Sequence, residues 1–210
     1  MILALSDNIS HSFNMISSAA MLATKLDKKF TVCIHTDDND QIEKAGEILN
    51  EITVKPEEIN VVRNNSESIS DICEQHEALF LFVQLKKKKR SEIQNILNNC
   101  RQLRIPYILF SNEYKFINLN KVIVPVSFLE EEIEKTQFAT AFGRFCNAHI
   151  ILLQSADYGS KAATTISKMT ELFSKFNFSW ETIRARKDSF KVNSEALTLA
   201  EQTNAGLIIV

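Results

Sequence analysis

Short apolar runs alternate with longer amphipathic stretches along the whole chain. Ile2–Ser6 is an unbroken apolar run closed by serine and predicts a buried strand. From about Ser12 to Leu26, the residues Phe13, Ile16, Ala19, Ala20, Ala23 and Leu26 recur near the helical period. Phe30–His35 predicts a second strand. Asp38 or Asp40 stands where a cap is needed for a helix running to about Glu51, with Ile42, Ala45, Ile48 and Leu49 on one face. Ile59–Arg63 is a short third strand. Ser66 is placed to cap a helix over Glu67–His76, and Ala78–Val83 is a fourth strand. Ser91 starts a helix with Ile93, Ile96, Leu97 and Leu103 inward, and Pro106–Phe110 is a fifth strand. A polar linker, Ser111–Lys121, is interrupted by Tyr114, Phe116, Ile117 and Leu119. The pattern then resumes with strand Val122–Ser127, helix Glu130–Cys146, strand Ala148–Gln154 and helix Ser160–Phe176. Strand Ser179–Ala185, helix Asn193–Thr203 and strand Ala205–Val210 close the chain.

Strands alternating with helices of this length imply parallel sheets built from right-handed βαβ units. Continuous apolar strands such as Leu79–Val83 fit a sheet covered on both faces. The alternation also repeats. Ala19, Leu22, Leu26, Phe30 and Val32 recur 120 positions later as Ala139, Phe142, Cys146, Ile150 and Leu152. Glu74–Val83 recurs 127 positions later as Glu201–Val210. The openings match as well, Ile2–Ser6 against Ile123–Ser127. A period this long is no solenoid. It predicts an α/β fold of two tandem Rossmann-like units with mostly parallel five-stranded sheets. Unit 1 spans 1–118. Unit 2 spans 119–210 and is expected to stop after its fourth strand, without a last helix and strand.

Composition narrows the function classes. Charged residues make up 24% of the 210 and the net charge is −2, so nothing pulls the whole chain toward nucleic acid or an anionic membrane. No apolar run is long enough to span a bilayer, and Met1–Ser6 lacks the basic start of a signal peptide. Cys33, Cys73, Cys100 and Cys146 are widely spaced and form no metal or redox motif, which suits a reducing cytoplasm. Only four glycines occur: Gly46, Gly143, Gly159 and Gly206.

Three stretches carry a family resemblance. Val122–Val126 looks like the first strand of the universal stress protein family. The alanine-rich helix Ala19–Ala23 leading into Phe30–Ile34, and the stretch Ala205–Val210, resemble that family's first helix, second strand and fourth strand. The chain as a whole resembles the tandem-domain form, whose fold is related to the adenine nucleotide α-hydrolase group. The resemblance implies that the two units pack as an intramolecular pseudo-dimer.

What the resemblance implies about a nucleotide site is then tested residue by residue. Nucleotide-binding members carry an Asp at the end of strand one that contacts adenine. Here Ser6 and Ser127 stand at those places, with Asp7 one residue late. Such serines ordinarily close turns. The family's phosphate loop, Gly-x2-Gly-x9-Gly-Ser/Thr, follows strand four and uses glycine so that backbone amides approach phosphate closely. Counted from Val83, its glycine positions fall on Gln84, Lys87 and Leu97, followed by Asn98. In unit 2 the loop would follow Val210. The segment Lys86-Lys87-Lys88-Lys89-Arg90 stands in place of the loop in unit 1. It lies where open α/β sheets bind ligands, just before a helix N-terminus. A like-charged run of this kind is ordinarily a solvated connection.

Other chemistry is sparse. His11 follows strand one and His35 ends strand two, at the ligand end of the sheet, with no catalytic constellation around them. Asp37, Asp38 and Asp40 lack a calcium-loop pattern and suit helix capping. Glu130-Glu131-Glu132 suits the first turn of its helix. Phe138, Phe142 and Phe145 suit core or inter-unit packing. The expectation is a universal-stress-type regulatory or binding protein, not an enzyme, with no cofactor. Ser6, Asp7, His35, Gln84, Lys86, Lys87 and Ser127 would mark a vestigial nucleotide or anion site. Two alternatives stand beside it. One is an ATP-binding stress protein or weak ATPase whose site in unit 2 is completed beyond Val210. The other is an anion scaffold built on Lys86–Arg90. A protein partner and some self-association are expected, the latter through an unfinished sheet edge. Neither nucleic acid nor membrane is expected as a partner.

Overall fold

The computed structural model describes residues 1–6, 8–52, 54–62, 68–85, 90–111, 117–157 and 161–210. The chain divides into two compact units, Met1–Phe116 and Ile117–Val210. Ile117 and Leu119, read from sequence as interruptions of a polar linker, are buried residues at the start of the second unit.

Unit 1 is a five-stranded parallel sheet with the order β3-β2-β1-β4-β5. Its strands are β1 (Ile2–Ser6), β2 (Phe30–His35), β3 (Glu58–Val62), β4 (Phe80–Leu85) and β5 (Tyr107–Ser111). The helices are α1 (Phe13–Leu26), α2 (Asn39–Glu51), α3 (Ile69–Gln75) and α4 (Arg90–Arg101). Central strands are buried over nearly their whole length because both faces are covered. On one face Leu3, Leu5, Cys33, Leu81 and Val83 pack with Ile72, Cys73 and Cys100 of α3 and α4. Within α4 the buried residue is Cys100, with Ile96 beside it, while Leu97 lines a surface groove with Ile93 and Arg101. The sequence pattern places both Ile93 and Leu97 inward, and both instead line this groove.

Unit 2 repeats the plan with four strands, in the order β8-β7-β6-β9. They are β6 (Lys121–Val126), β7 (His149–Gln154), β8 (Trp180–Arg184) and β9 (Leu207–Ile208), all parallel. The helices α5 (Lys135–Cys146), α6 (Lys161–Phe173) and α7 (Val192–Thr203) connect them. Ile123, Ile151 and Leu153 pack against Val192 and Ala196 of α7.

The duplication is written into the register. Ile2 pairs with Phe30 and Phe80; Val122 pairs with Ile150 and Leu207. These residues reproduce the two sequence offsets. They also correct the matching of the openings: Ile2 corresponds to Val122, not to Ile123. Non-glycine residues with positive φ obey the same offsets. Asp27 and Asn147 end α1 and α5, while Glu77 and Asn204 follow α3 and α7. Each turns the chain from a helix into the next strand through the left-handed region, which an L residue enters at a cost.

Several boundaries moved. Asp38, rather than Asp40, caps α2 by accepting the Asp40 amide at 2.9 Å. Ser68 caps α3 in a reciprocal capping box with Asp71. Ser66, which the sequence favoured, lies outside the described residues. β4 runs two residues past Val83. Glu130–Glu134 forms a 3₁₀ turn, and α5 begins only at Lys135.

Candidate functional site

In open parallel sheets the ligand crevice lies outside the carboxyl ends of the strands where strand order reverses. In unit 1 that point lies between β1 and β4, and in unit 2 between β6 and β9. Ser6, His35 and Gln84 sit at the carboxyl ends of three adjacent strands, β1, β2 and β4. Ser127 immediately follows β6 in the other unit. Asp7, Lys86 and Lys87 lie outside the described residues.

Ser6 is fully buried and shares a 2.7 Å hydrogen bond with Ser12 Oγ. It also accepts the Asn8 amide at 3.2 Å, and Ser12 Oγ donates to Asn8 O at 2.9 Å. These bonds fold the chain from β1 into the 3₁₀ turn Ile9–His11 and on into α1. Gln84 stands inside β4, not at the start of a loop, because the strand extends to Leu85. It is buried, and its Oε1 has no hydrogen-bond partner among the described residues. His35 is half-buried at the end of β2.

β4 ends at Leu85 and α4 begins at Arg90. Of the positions matched to the family's loop, Gln84 is strand, while Leu97 and Asn98 are helix. Three of the four matched positions therefore lie in regular elements rather than in a loop. This is a stronger departure than the loss of glycines alone.

Unit 2 closes its carboxyl end with its own carboxylates. Glu132 accepts from the Ser127 amide at 2.5 Å and from Ser127 Oγ at 2.6 Å. Lys135 Nζ lies 3.5 Å from Glu132 Oε1 and donates to Pro125 O at 2.8 Å. Burial pulls the Lys135 ammonium below its ordinary value, with Glu132 acting in the opposite direction. Glu132 was read from sequence as favouring the helix macrodipole, but its side chain instead reaches back to the strand end. Asp157, after β7, accepts from the Ser189 amide at 3.1 Å, from Ser189 Oγ and from Ser155 Oγ at 2.7 Å. Ser189 Oγ in turn accepts the Phe128 amide at 2.9 Å, tying the loops after β6, β7 and β8 together. Glu195 of α7 accepts the amides of Arg186 and Lys187 at 2.8–3.0 Å. Backbone amides that would otherwise meet an anion are thus satisfied from within the chain.

No known family model matches the chain, and no curated protein sequence does. Among solved structures it is similar to the methylmalonate-semialdehyde dehydrogenase DddC from Oceanimonas doudoroffii. The two are 12% identical with a TM-score of 0.36, over 83% of this chain and 34% of that one. The chain thus matches about a third of that enzyme's length. A likeness of this size speaks to neither activity nor cofactor.

Burial pushes the thiols of Cys73 and Cys100 up to about 11, so both are protonated at neutral pH and poor nucleophiles. Among the described residues no group of three or more His, Cys, Asp or Glu side chains is placed to hold a metal ion. Hydrogen bonds from Ser189 and then Ser155 hold Asp157 below the ordinary carboxylate value of 3.8. A depressed folded value means the stabilisation is present above 3.8 and is lost as pH falls through the folded value. In an NMR pH titration the Ser189 and Phe128 amides are therefore expected to move together, with a midpoint below 3.8. A midpoint at or above 3.8 would dismiss the Asp157 bridge.

The sequence reading missed Glu132, Lys135, Ser155, Asp157, Ser189 and Glu195. Glu132 was findable, being five residues past the strand-end serine. The bond between Asp157 and Ser189 joins residues 32 positions apart and leaves no local trace.

Proposed function

We propose that the protein is a universal-stress-type regulatory or binding module with a degenerate nucleotide site, working without catalysis and without a cofactor. The observation that carries this reading is that Gln84, Leu97 and Asn98, which match positions of the family's loop, stand in strand β4 and helix α4. The carboxylate-closed loops of unit 2 support it, because Glu132, Asp157 and Glu195 already occupy amides at the carboxyl ends of its strands. In this reading the protein acts through a protein partner in the cytoplasm. That compartment suits its four buried cysteines.

Titration calorimetry with Mg-ATP tests the reading. No saturable heat in the micromolar range is expected, and stoichiometric micromolar binding overturns it. A second reading, adenine-nucleotide binding, draws on the register. Since Ile2 corresponds to Val122, the counterpart of Ser127 is Asp7, not Ser6. Asp7 therefore holds the sequence position at which the resemblance calls for an adenine-contacting aspartate. ATP binding that is abolished by Asp7→Ala would establish this second reading.

A further inference from the structure

We propose that the carboxyl end of β6 is a cradle for a small oxyanion, occupied by the chain's own Glu132 carboxylate. An external carboxylate or phosphate enters only by displacing it. Three donors converge on that carboxylate. The Ser127 amide lies at 2.5 Å and Ser127 Oγ at 2.6 Å from its oxygens, with Lys135 Nζ at 3.5 Å. An amide, a hydroxyl and an ammonium on one oxyanion form the arrangement used to hold carboxylates and phosphates.

The cradle is built rather than incidental. The Lys135 and Glu132 side chains are each only 14% exposed. Lys135 is fixed from behind by the Pro125 carbonyl at 2.8 Å, so its charge stays in place when Glu132 leaves. Removing one partner of such a pair leaves a cation in a poorly solvated setting, which favours uptake of another anion. The cradle also lies on the first strand of the switch pair, where open sheets receive ligands. Glu130 and Glu131, exposed on the same turn, oppose a second anion. Displacement therefore favours a ligand that brings more contacts than a simple monoanion. Rotation of one side chain opens the site.

This inference stands apart from the family reading, since failure to bind ATP leaves it untouched. The test compares wild type with Glu132→Ala, titrating each with sodium acetate and with inorganic phosphate. The readouts are the Ser127 amide resonance and the melting temperature. In Glu132→Ala the Ser127 amide is expected to shift saturably, and the melting temperature to rise with anion concentration. Wild type is expected to show neither change at the same concentrations. Adding Lys135→Met to Glu132→Ala is expected to weaken anion binding at least tenfold. Whichever anion binds more tightly identifies the ligand as carboxylate or phosphate. A folded Glu132→Ala whose Ser127 amide ignores both anions overturns the proposal, as does binding that survives Lys135→Met undiminished. If Glu132→Ala does not fold unaided, its refolding yield is compared in acetate and in sodium chloride of equal ionic strength. Recovery in acetate alone supports the proposal, and equal recovery in both overturns it.

Discussion

Gly206→Ala is expected to lower the stability of unit 2 by about 3 kcal/mol, the upper end of the usual cost of overpacking. A Cβ built on Gly206 would lie 2.1 Å from the Asn118 carbonyl oxygen and 2.7 Å from its carbon. Both are backbone atoms, and that backbone is pinned. Asn118 Nδ2 donates to Asn204 O at 3.1 Å, and Asn118 Oδ1 accepts the Asn120 amide at 3.0 Å. Buried Ile117 and Leu119 flank it. The Gly206 amide itself donates to Lys121 O at 3.2 Å, so the strand cannot retreat without losing that bond. Two other glycines calibrate the effect. At Gly143 the new methyl would meet the Phe178 ring at 2.5 Å, but a side chain can turn aside, and about 1–2 kcal/mol is expected. At Gly46, within α2, nothing lies within 4 Å, so alanine is expected to stabilise by about 0.5–1 kcal/mol. Urea denaturation would order the four proteins: Gly46→Ala, wild type, Gly143→Ala, Gly206→Ala. A Gly206→Ala midpoint equal to wild type would mean that the close approach to Asn118 is absent.

That glycine also shows where the sequence was legible and where it was not. The block Glu201–Val210 revealed the repeat, yet Gly206 replaces Leu79 of the first copy for a reason that no alternation pattern shows. The segment at Asn118, which bonds to Asn204 across 86 positions, crosses it. Periodicity, being local, placed β1 and β2 to the residue. It ended β4 two residues early because Gln84 reads as polar, although the structure buries it. It matched the openings one residue out of register, since Pro125 and Ser127 fit either alignment. Only the hydrogen-bonded partners, Phe30 and Ile150, fixed the offset.

The candidate site divides along the same line. Ser6 and Ser127 were found because strand ends are readable and serine there is chemically suggestive. The groups that close unit 2's strand ends were not, because the hydrogen bonds that Glu132, Asp157 and Glu195 accept depend on how loops return to the sheet. Ser189 reaches Phe128 across 61 residues and Asp157 across 32, separations at which single-sequence patterns are silent. The residues that decide whether this edge is open or closed are therefore those that sequence alone leaves out.

Phe173→Ala is expected to cost about 3–5 kcal/mol, the range for emptying a large aromatic site in a core. Phe173 is fully buried on α6, with Phe178 at 5.1 Å edge-on and Trp180 at 6.1 Å. Phe178 in turn lies against Gly143 of α5, so truncating Phe173 removes the wall between two helices and the edge strand β8. Neighbouring rings cannot collapse far into the void, because Trp180 is held within the β7–β8 pairing opposite Ile150. Trp180 is also the chain's one tryptophan, so its fluorescence follows unit 2 alone. Far-ultraviolet circular dichroism follows both units. Each unit has its own apolar core, around Leu81 in one and Ile151 in the other. The fluorescence transition of Phe173→Ala should therefore move to lower urea while part of the dichroism signal stays at the wild-type midpoint. A loss below about 1 kcal/mol would place Phe173 outside the load that α6 carries, since cavity-forming aromatic truncations cost more than that. Coincident movement of both signals would show instead that the cores unfold as one.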